Sequence, residues 1–107
     1  MSESLRRRYE ILLPLLFNDG NPVPDELIGD TLVELRTKFG AASSETQVIR
    51  GLWEHEGKSF QDQLIRVFVD VPDLPEHRAF FKDFKERLKE RFKQIDIWLT
   101  TNPIEVL

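Results

Sequence analysis

The chain lacks cysteine altogether, since none of its 107 residues is one. It therefore has no disulfide, no thiolate metal ligand and no cysteine nucleophile, which suits a reducing cytoplasm. No stretch approaches the roughly 20 consecutive apolar residues that span a bilayer. The sequence also has no glycine-rich phosphate loop, no H-E-x-x-H zinc motif and no G-x-S-x-G nucleophile motif. We therefore expect a cytoplasmic protein without a membrane partner, a metal or a cofactor.

An excess of positive charge is also missing. The chain has 15 Lys and Arg residues against 19 Asp and Glu residues, and its formal net charge is −4 at pH 7. This balance argues against nucleic acid as a partner, because non-specific binding to phosphates needs a basic surface. The hydrophobic fraction of 40% and the charged fraction of 32% are typical of a soluble globular protein.

The length supports one hydrophobic core without a disulfide or a metal to hold it. We predict a single domain over residues 1–107. Residues 1–7 are expected to form an N-terminal arm, and residues 102–107 a C-terminal tail or a strand extension.

The hydrophobic period changes in a regular order along the chain. Period two predicts strands and period 3.6 predicts helices, so the order is β-α-β-β-α-β. This order is typical of the α+β ferredoxin-like sandwich, with a four-stranded antiparallel sheet in the order 4-1-3-2 and both helices on one face. The predicted strands cover residues 9–17, 46–55, 64–71 and 95–100, and the predicted helices cover residues 25–39 and 75–93.

Pro14 conflicts with this topology at one point. The first strand is central in the predicted order, and proline lacks the N–H that a central strand donates. We therefore expect a bulge or a local gap in pairing at Pro14, or else a first strand at the edge of the sheet.

Several helix and turn boundaries carry recognisable residues. Pro24 suits the first turn of a helix, and Gly40 suits a C-terminal stop. Asp73 followed by Glu76 resembles a capping box at the start of the second helix. Residues 56–58 predict a hairpin turn between the second and third strands.

The sheet face opposite the helices is predicted to be too apolar for a solvated surface. Two helices cover one side of a four-stranded sheet, and an exposed side should be polar at alternate positions. Here large apolar groups are mixed with arginine and aspartate, which is typical of an interface or a pocket; the alternative is that the N-terminal arm or the C-terminal tail covers this side. By parity this face carries Leu12, Leu16, Val48, Arg50, Leu52, Leu64, Arg66, Phe68, Asp70, Trp98 and Thr100.

The C-terminal segment strengthens the interface hypothesis, because apolar residues alternate again after Pro103. Such a segment could extend the last strand or pair with a strand edge of a neighbouring chain. We therefore predict self-association, with interface residues Leu52, Arg66, Phe68, Trp98, Ile104 and Val106.

Candidate chemistry is sparse. Glu54 and His55 are adjacent, and a histidine beside carboxylates can act as a general base. On a strand the two side chains point to opposite faces, so they cannot chelate one metal ion. Tyr9 is a third weak catalytic candidate. No recognisable nucleophile motif accompanies these residues, which favours a protein that is not a hydrolase.

The motifs N-D-G-N-P-V-P at 18–24, G-L-W at 51–53, R-F-K-Q at 91–94 and P-I-E-V at 103–106 carry a resemblance. With them the chain resembles a group of small uncharacterised bacterial domains of ferredoxin-like pattern. This resemblance implies the fold and brings no activity with it. A looser similarity is to the dimeric α+β barrels, in which two such sheets close face to face and some members bind small ligands or act as cofactor-free monooxygenases.

Two functions remain as alternatives. The first is a non-catalytic, homo-oligomeric binding or interaction module that uses its open sheet face, a homodimer in the simplest case. The second is a small enzyme of the dimeric-barrel kind, with a small-molecule ligand in a cleft between sheet and helices. The sparse catalytic inventory favours the first.

Overall fold

The structure, a computed structural model, describes residues 5–107. Within them the chain forms an α+β arrangement of two helices and one antiparallel sheet of five strands. The elements are β1 (Leu5–Pro14), α1 (Asp25–Phe39), β2 (Ser43–Ser44), β3 (Ile49–His55), β4 (Lys58–Pro72), α2 (Pro75–Arg91) and β5 (Leu99–Glu105).

The predicted α+β class is confirmed, but the count of four strands and the order 4-1-3-2 are wrong. The sheet runs β2-β4-β1-β5, and β3 is attached to β4 outside this path. β1 does lie between β4 and β5, its predicted neighbours. The difference arises in the predicted second strand, which is interrupted between Ser44 and Ile49, so that two separate strands pair with the long β4.

Helix α1 begins and ends where its sequence signals predict. Pro24 precedes the first turn, where a missing N–H costs no hydrogen bond. Gly40 ends the helix in the left-handed region, with φ of 87°, and its N–H donates to the carbonyl oxygen of Arg36. Leu35 and Thr31 form the fully buried part of its inner side.

The start of α2 differs from the predicted capping box. Leu74 occupies the N-cap position, and no side chain of the described residues caps this end. Asp73 instead forms an ion pair of 3.1 Å with Arg7 of β1. The carboxylate of Asp73 therefore joins the start of α2 to β1 and does not cap the helix. Pro75 in the first turn reduces the number of free N–H groups that need a cap.

Both helices pack on one face of the sheet. Alternate residues of β1 and β4 point to this face and meet α2, and the ring of Phe81 stacks on that of Tyr9 at 4.0 Å. Phe39 at the end of α1 stacks on the same Phe81 at 5.3 Å. The fully buried hydrophobic core consists of Tyr9, Ile11, Leu13, Val23, Leu35, Val67, Val69, Val71, Phe81, Phe84, Leu88, Phe92 and Ile97.

The first and last strands are displaced along the sequence from their predicted positions. β1 already includes residues 5–7, which were predicted to belong to an arm, while residues 1–4 lie outside the described residues. Residues 95–98 precede β5, and residues 102–105 belong to it. The register explains the shift, because Leu5 pairs with Glu105 and the two strands stabilise each other beyond the apolar run.

Pro14 is tolerated at the end of a central strand because its position needs no donor. The N–H of Leu12 donates to the carbonyl oxygen of Trp98 at 3.0 Å, so even-numbered residues of β1 face β5 here. The ladder between these strands ends at the pair Ile11 and Leu99. Pro14 therefore faces a local gap in pairing, one of the predicted outcomes.

Residues 49–63 form a two-stranded hairpin that continues past the end of β1, and we call it the hairpin arm. Its turn is Glu56–Gly57, as predicted, and both residues have positive φ, 50° and 78°. These angles are typical of a type I′ turn, whose twist suits a two-residue hairpin.

The two faces of the arm are opposite to the prediction. Trp53 pairs with Phe60 of β4, which shares its parity with Phe68, so Trp53 lies on the side of the open sheet face. Leu52 and Arg50 lie on the other side. No residue of β3 is fully buried, and its apolar pattern therefore gives little information about which side faces the core.

Within the part of the chain that the structure describes, neither helix is long and apolar enough to cross a membrane.

Candidate ligand cleft

A cleft of about 690 Å³ opens between the hairpin arm and the connection from α2 to β5. We call it the arm cleft. Its floor is the end of β1 and the adjoining part of β4, with Leu12, Pro14 and Leu64. Its size is in the range of small-molecule sites, and its lining combines apolar groups with a few charged ones.

Trp53 forms the arm side of this cleft, and two contacts fix its ring. The ring stacks on Phe60 with centroids 4.4 Å apart and planes at 16°. Its Nε1–H donates to Oδ2 of Asp62, which lies two residues along β4 on the same side. Because Phe60 does not line the cleft while Trp53 and Asp62 do, the indole separates the cleft from Phe60.

The opposite side of the cleft is the segment that leads into β5. Trp98 and Ile95 line it, and both are largely exposed, at 65% and 42% of their full accessible surface. Asp96 lies between them and forms an ion pair of 3.2 Å with Lys85 of α2. Two tryptophans from opposite sides thus contribute to one cleft.

Acidic side chains outnumber basic ones at the cleft. Glu54, Asp62 and Asp96 line it, against a single lysine, Lys89. Lys89 lies 3.3 Å from Glu86 of the same helix, which neutralises part of its charge. Among residues 5–107, no ion pair within 4 Å involves Glu54. Asp96 is paired with Lys85 in the same way, so Glu54 and Asp62 leave an excess of negative charge, and the cleft favours a ligand that is neutral or cationic.

Two of the three catalytic candidates lie at the cleft. Glu54 and His55 both line it, and both are exposed. The Nε2 atom of His55 is 3.7 Å from a carboxylate oxygen of Glu56. The third candidate, Tyr9, lies away from the cleft, because it is 2% exposed and stacked on Phe81 in the core. Its period-two position at the inner face of β1 explains this burial.

No group of three or more His, Asp or Glu side chains in residues 5–107 is arranged to hold a metal ion.

The open sheet face is crossed by ion pairs. Arg8 donates to both carboxylate oxygens of Asp70, at 2.7 and 2.9 Å, and its guanidinium lies 4.5 Å from the ring centre of Phe68. The hydrogen bond to Asp70 raises the pKa of Arg8 above its ordinary value, against the opposing effect of burial. Arg66 lies 3.1 Å from Glu45 and 3.9 Å from Glu10. Charged side chains therefore cover more of this face than its composition predicts.

The predicted interface residues fall into two groups. Leu52 and Trp98 are well exposed, at 75% and 65%, and both line the cleft; Val106 is exposed near the C-terminus. Phe68 is half-buried under Arg8, and Arg66 and Ile104 are half-buried as well. The parity rule missed Asp62, Asp96 and Lys89. Of the contacts at the cleft, the sequence could predict only the pairing of Trp53 with Phe60, which follows from the two-residue turn at Glu56–Gly57.

Comparison with solved structures places the fold among known ones. No family model matches the chain, and no curated protein matches it. Among solved structures, a phage SAM lyase in complex with S-methyl-5′-thioadenosine is similar with a TM-score of 0.69 and 14% identity, over 94% of this chain and 90% of that chain.

Two further structures are similar. The divalent cation tolerance protein CutA1 of Thermus thermophilus has a TM-score of 0.62 and 15% identity, over 92% of this chain and 84% of that chain. The phage SAM lyase in its apo state has a TM-score of 0.62 and 16% identity, over 94% and 80%. At these identities the likeness shows that the chain has the fold of small α+β domains of this kind.

Proposed function

We propose that this protein is a homo-oligomeric binding module that takes a small adenosine-type molecule in the arm cleft. The observation that carries the proposal is the cleft itself, in which Trp53 and Trp98 lie on opposite sides above an apolar floor. A planar base needs aromatic or apolar surfaces on which to stack, and a cleft of about 690 Å³ has room for a nucleoside.

The likeness to the phage SAM lyase bound to S-methyl-5′-thioadenosine supports an adenosine thioether or its sulfonium precursor as the ligand. The charge of the cleft supports the sulfonium form. Glu54, Asp62 and Asp96 line it, Glu54 from the side of β3 opposite Trp53, and a cation near a tryptophan face gains cation–π attraction. S-adenosylmethionine carries both features, an adenine ring and a positively charged sulfur.

Cleavage of S-adenosylmethionine is a second candidate function, and the similarity to a lyase favours it. In this reaction the substrate's own carboxylate oxygen bonds to the γ-carbon while the bond from that carbon to sulfur breaks. The electron pair of the broken bond stays on sulfur, and the products are S-methyl-5′-thioadenosine and a homoserine lactone. The leaving group is the neutral thioether, which needs no proton, so the protein's part is to fold the methionine chain and to exclude water. Glu54, at the cleft, is the carboxylate that we assign to the sulfonium.

Self-association is part of the proposal, and it is centred on the rim of the cleft. Leu52, Ile95 and Trp98 line the cleft and are all more than two-fifths exposed. Burial of such groups against a second copy would remove apolar surface from water and would narrow the cleft. The predicted interface residues Arg66 and Phe68 are already engaged by Glu45 and Arg8, so they contribute less.

The test of ligand binding is isothermal titration of the purified protein with S-methyl-5′-thioadenosine and with S-adenosylmethionine, alongside adenosine monophosphate as an anionic control. We expect the sulfonium to bind more tightly than the monophosphate. Glu54→Gln should weaken S-adenosylmethionine more than S-methyl-5′-thioadenosine, because only the former carries the positive charge. Absence of binding of both compounds at millimolar concentration would refute the proposal.

The test of cleavage is incubation with S-adenosylmethionine, with both products followed by chromatography and mass spectrometry. Appearance of the lactone together with the thioether would identify a lyase. Binding without either product would leave the protein as a non-catalytic module.

A further inference from the structure

We propose that Trp53 is the stacking platform of the arm cleft for a planar aromatic ring, and that Phe60 and Asp62 position it. The proposal deepens the function proposed above and rests on it for the identity of the ligand. Its own basis is the geometry of the hairpin arm.

Two contacts fix the ring of Trp53, although this side chain is partly exposed and lies on a two-stranded arm. Phe60 fixes the plane of the ring, since the two rings are nearly parallel at 16° and 4.4 Å apart. The hydrogen bond from Nε1 to Asp62 fixes the rotation of the ring within that plane. Because the ring is already fixed, a ligand can stack on it without the entropic cost of ordering the tryptophan side chain.

The side of the indole away from Phe60 belongs to the cleft, because Trp53 lines the cleft and Phe60 does not. The neighbouring positions on this side of β3 are Gly51 and His55, which both line the cleft, and the ring of His55 lies 6.4 Å from that of Trp53 at an angle of 57°. A Cβ added at Gly51 would lie 3.2 Å from Cδ1 of Leu64. The absence of a side chain at Gly51 thus lets Leu64 of the apolar floor pack close to the β3 backbone beside the indole.

The arrangement selects a flat ring over an aliphatic group. A parallel ring on the free indole face continues the stack that Phe60 begins, and base–aromatic stacking tolerates any base because each has a π-face. The recognition element for the ring is therefore separate from Glu54, which we assign to the sulfonium, and each can be tested alone.

The experiment uses the full chain with Trp98→Phe, so that Trp53 is the remaining tryptophan and its fluorescence reports the platform. The probes are S-methyl-5′-thioadenosine and caffeine, a purine without ribose or thioether. We expect both probes to quench the emission of Trp53. In a chain with Trp98 intact, Trp53→Leu should weaken binding roughly 5- to 150-fold, the range given by stacking contributions of single bases.

The positioning role is tested by pairs of variants. Asp62→Leu and Phe60→Leu should weaken the binding of S-methyl-5′-thioadenosine while Trp53 is still present. Asp62→Asn retains an oxygen acceptor for the indole N–H, and Phe60→Tyr retains a ring, so both should restore most of the affinity. A purely structural role would lower the melting temperature in each pair without this pattern of rescue.

Further outcomes separate the two proposals. Quenching by caffeine without binding of either adenosyl compound would overturn the proposed function and keep the platform. Binding of S-methyl-5′-thioadenosine that is unchanged in Trp53→Leu would overturn the platform and keep the function. Gly51→Val, which displaces Leu64 beside an intact Trp53, should reduce binding. Unchanged affinity in this variant would contradict the assigned side of the ring, and no quenching by either probe would overturn the platform.

Discussion

Arg8 of β1 donates two hydrogen bonds to one carboxylate, that of Asp70 on β4, from Nε at 2.7 Å and from Nη2 at 2.9 Å. The guanidinium also covers the ring of Phe68. One side chain therefore joins the two central strands and reduces the exposure of Phe68, a large apolar group on the open face. This pairing explains how a sheet face with apolar side chains can stay in contact with water.

Replacement of Arg8 by lysine should destabilise the protein although the charge is kept. Lysine has neither the planar fork that binds both oxygens of Asp70 nor the flat surface that covers Phe68. We expect a loss of about 1 kcal/mol in the free energy of unfolding, since both partners are about a third exposed. Urea denaturation measures it. The control Glu86→Gln breaks an exposed pair with Lys89 and should change stability by less than about 0.5 kcal/mol. Equal effects of the two variants would contradict the role of the fork.

The loss of folding stability at acid pH should depend on Glu34. Burial of this carboxylate opposes ionisation, but hydrogen bonds from Arg87 and Arg91 of α2 outweigh it, and the pKa of Glu34 lies below its ordinary value of 4.5. A lowered pKa in the folded protein means that the stabilisation is complete above pH 4.5 and is lost as the pH falls through the folded-state value.

Glu34→Gln should therefore lower the melting temperature at pH 7 and have a smaller effect as the pH falls below 4.5. The measurement is calorimetry of both proteins from pH 7 to pH 3, and Asp83→Asn, which breaks a more exposed pair with Arg87, is the matched control. A difference between wild type and Glu34→Gln that grows towards acid pH would have the wrong sign for this account.

Phe81 lies in the hydrophobic core, with its ring between those of Tyr9 and Phe39. Phe81→Ala would remove the ring that joins β1 to both helices, and we expect a loss of roughly 3–5 kcal/mol. Tyr9→Phe keeps the stacked ring and should cost less than about 1 kcal/mol. Chemical denaturation compares them. Because Tyr9 is buried away from the cleft, Tyr9→Phe should also leave the binding of S-methyl-5′-thioadenosine unchanged; a large loss of affinity would restore Tyr9 as a site residue.

The sequence predicted those elements whose periodicity and boundary residues agree. Helix α1 (Asp25–Phe39), which Gly40 ends, and the turn at Glu56–Gly57 are of this kind. It failed where a partner strand decides the outcome, as in β1 and β5, whose pairing reaches back to Leu5.

The site was predictable only in fragments. Glu54 and His55 were recognisable as polar residues near a turn. Asp62 and Asp96 were not, because a lone aspartate has no spacing signature, and their place at the cleft depends on the register of β4 and on the path from α2 to β5. The face of Trp53 could not be assigned from the apolar pattern of β3 either, since β3 has no buried residue to fix its phase; only its pairing with Phe60 assigns it.

Self-association should depend on Trp98. This side chain is 65% exposed at the rim of the cleft. If a second copy covers it, Trp98→Asp should yield monomers in light scattering at tens of micromolar, with unchanged circular dichroism. Leu74→Asp, at an exposed apolar residue that does not line the cleft, is the control and should leave the mass unchanged. A wild-type protein that is monomeric at these concentrations would end the oligomer hypothesis.

The hairpin turn offers a change that should stabilise the protein. Glu56 adopts φ of 50° and Gly57 adopts φ of 78°, and the left-handed region is unfavourable for glutamate but common for asparagine. Glu56→Asn should therefore raise the free energy of unfolding by roughly 0.5–1 kcal/mol, whereas Gly57→Ala should lower it by about 1 kcal/mol because alanine resists positive φ. Urea denaturation of both variants is the measurement. Since the turn orients the arm that carries Trp53, Glu56→Asn should also retain the affinity for S-methyl-5′-thioadenosine. Destabilisation by Glu56→Asn would show that the carboxylate of Glu56, near His55, contributes more than the backbone strain it imposes.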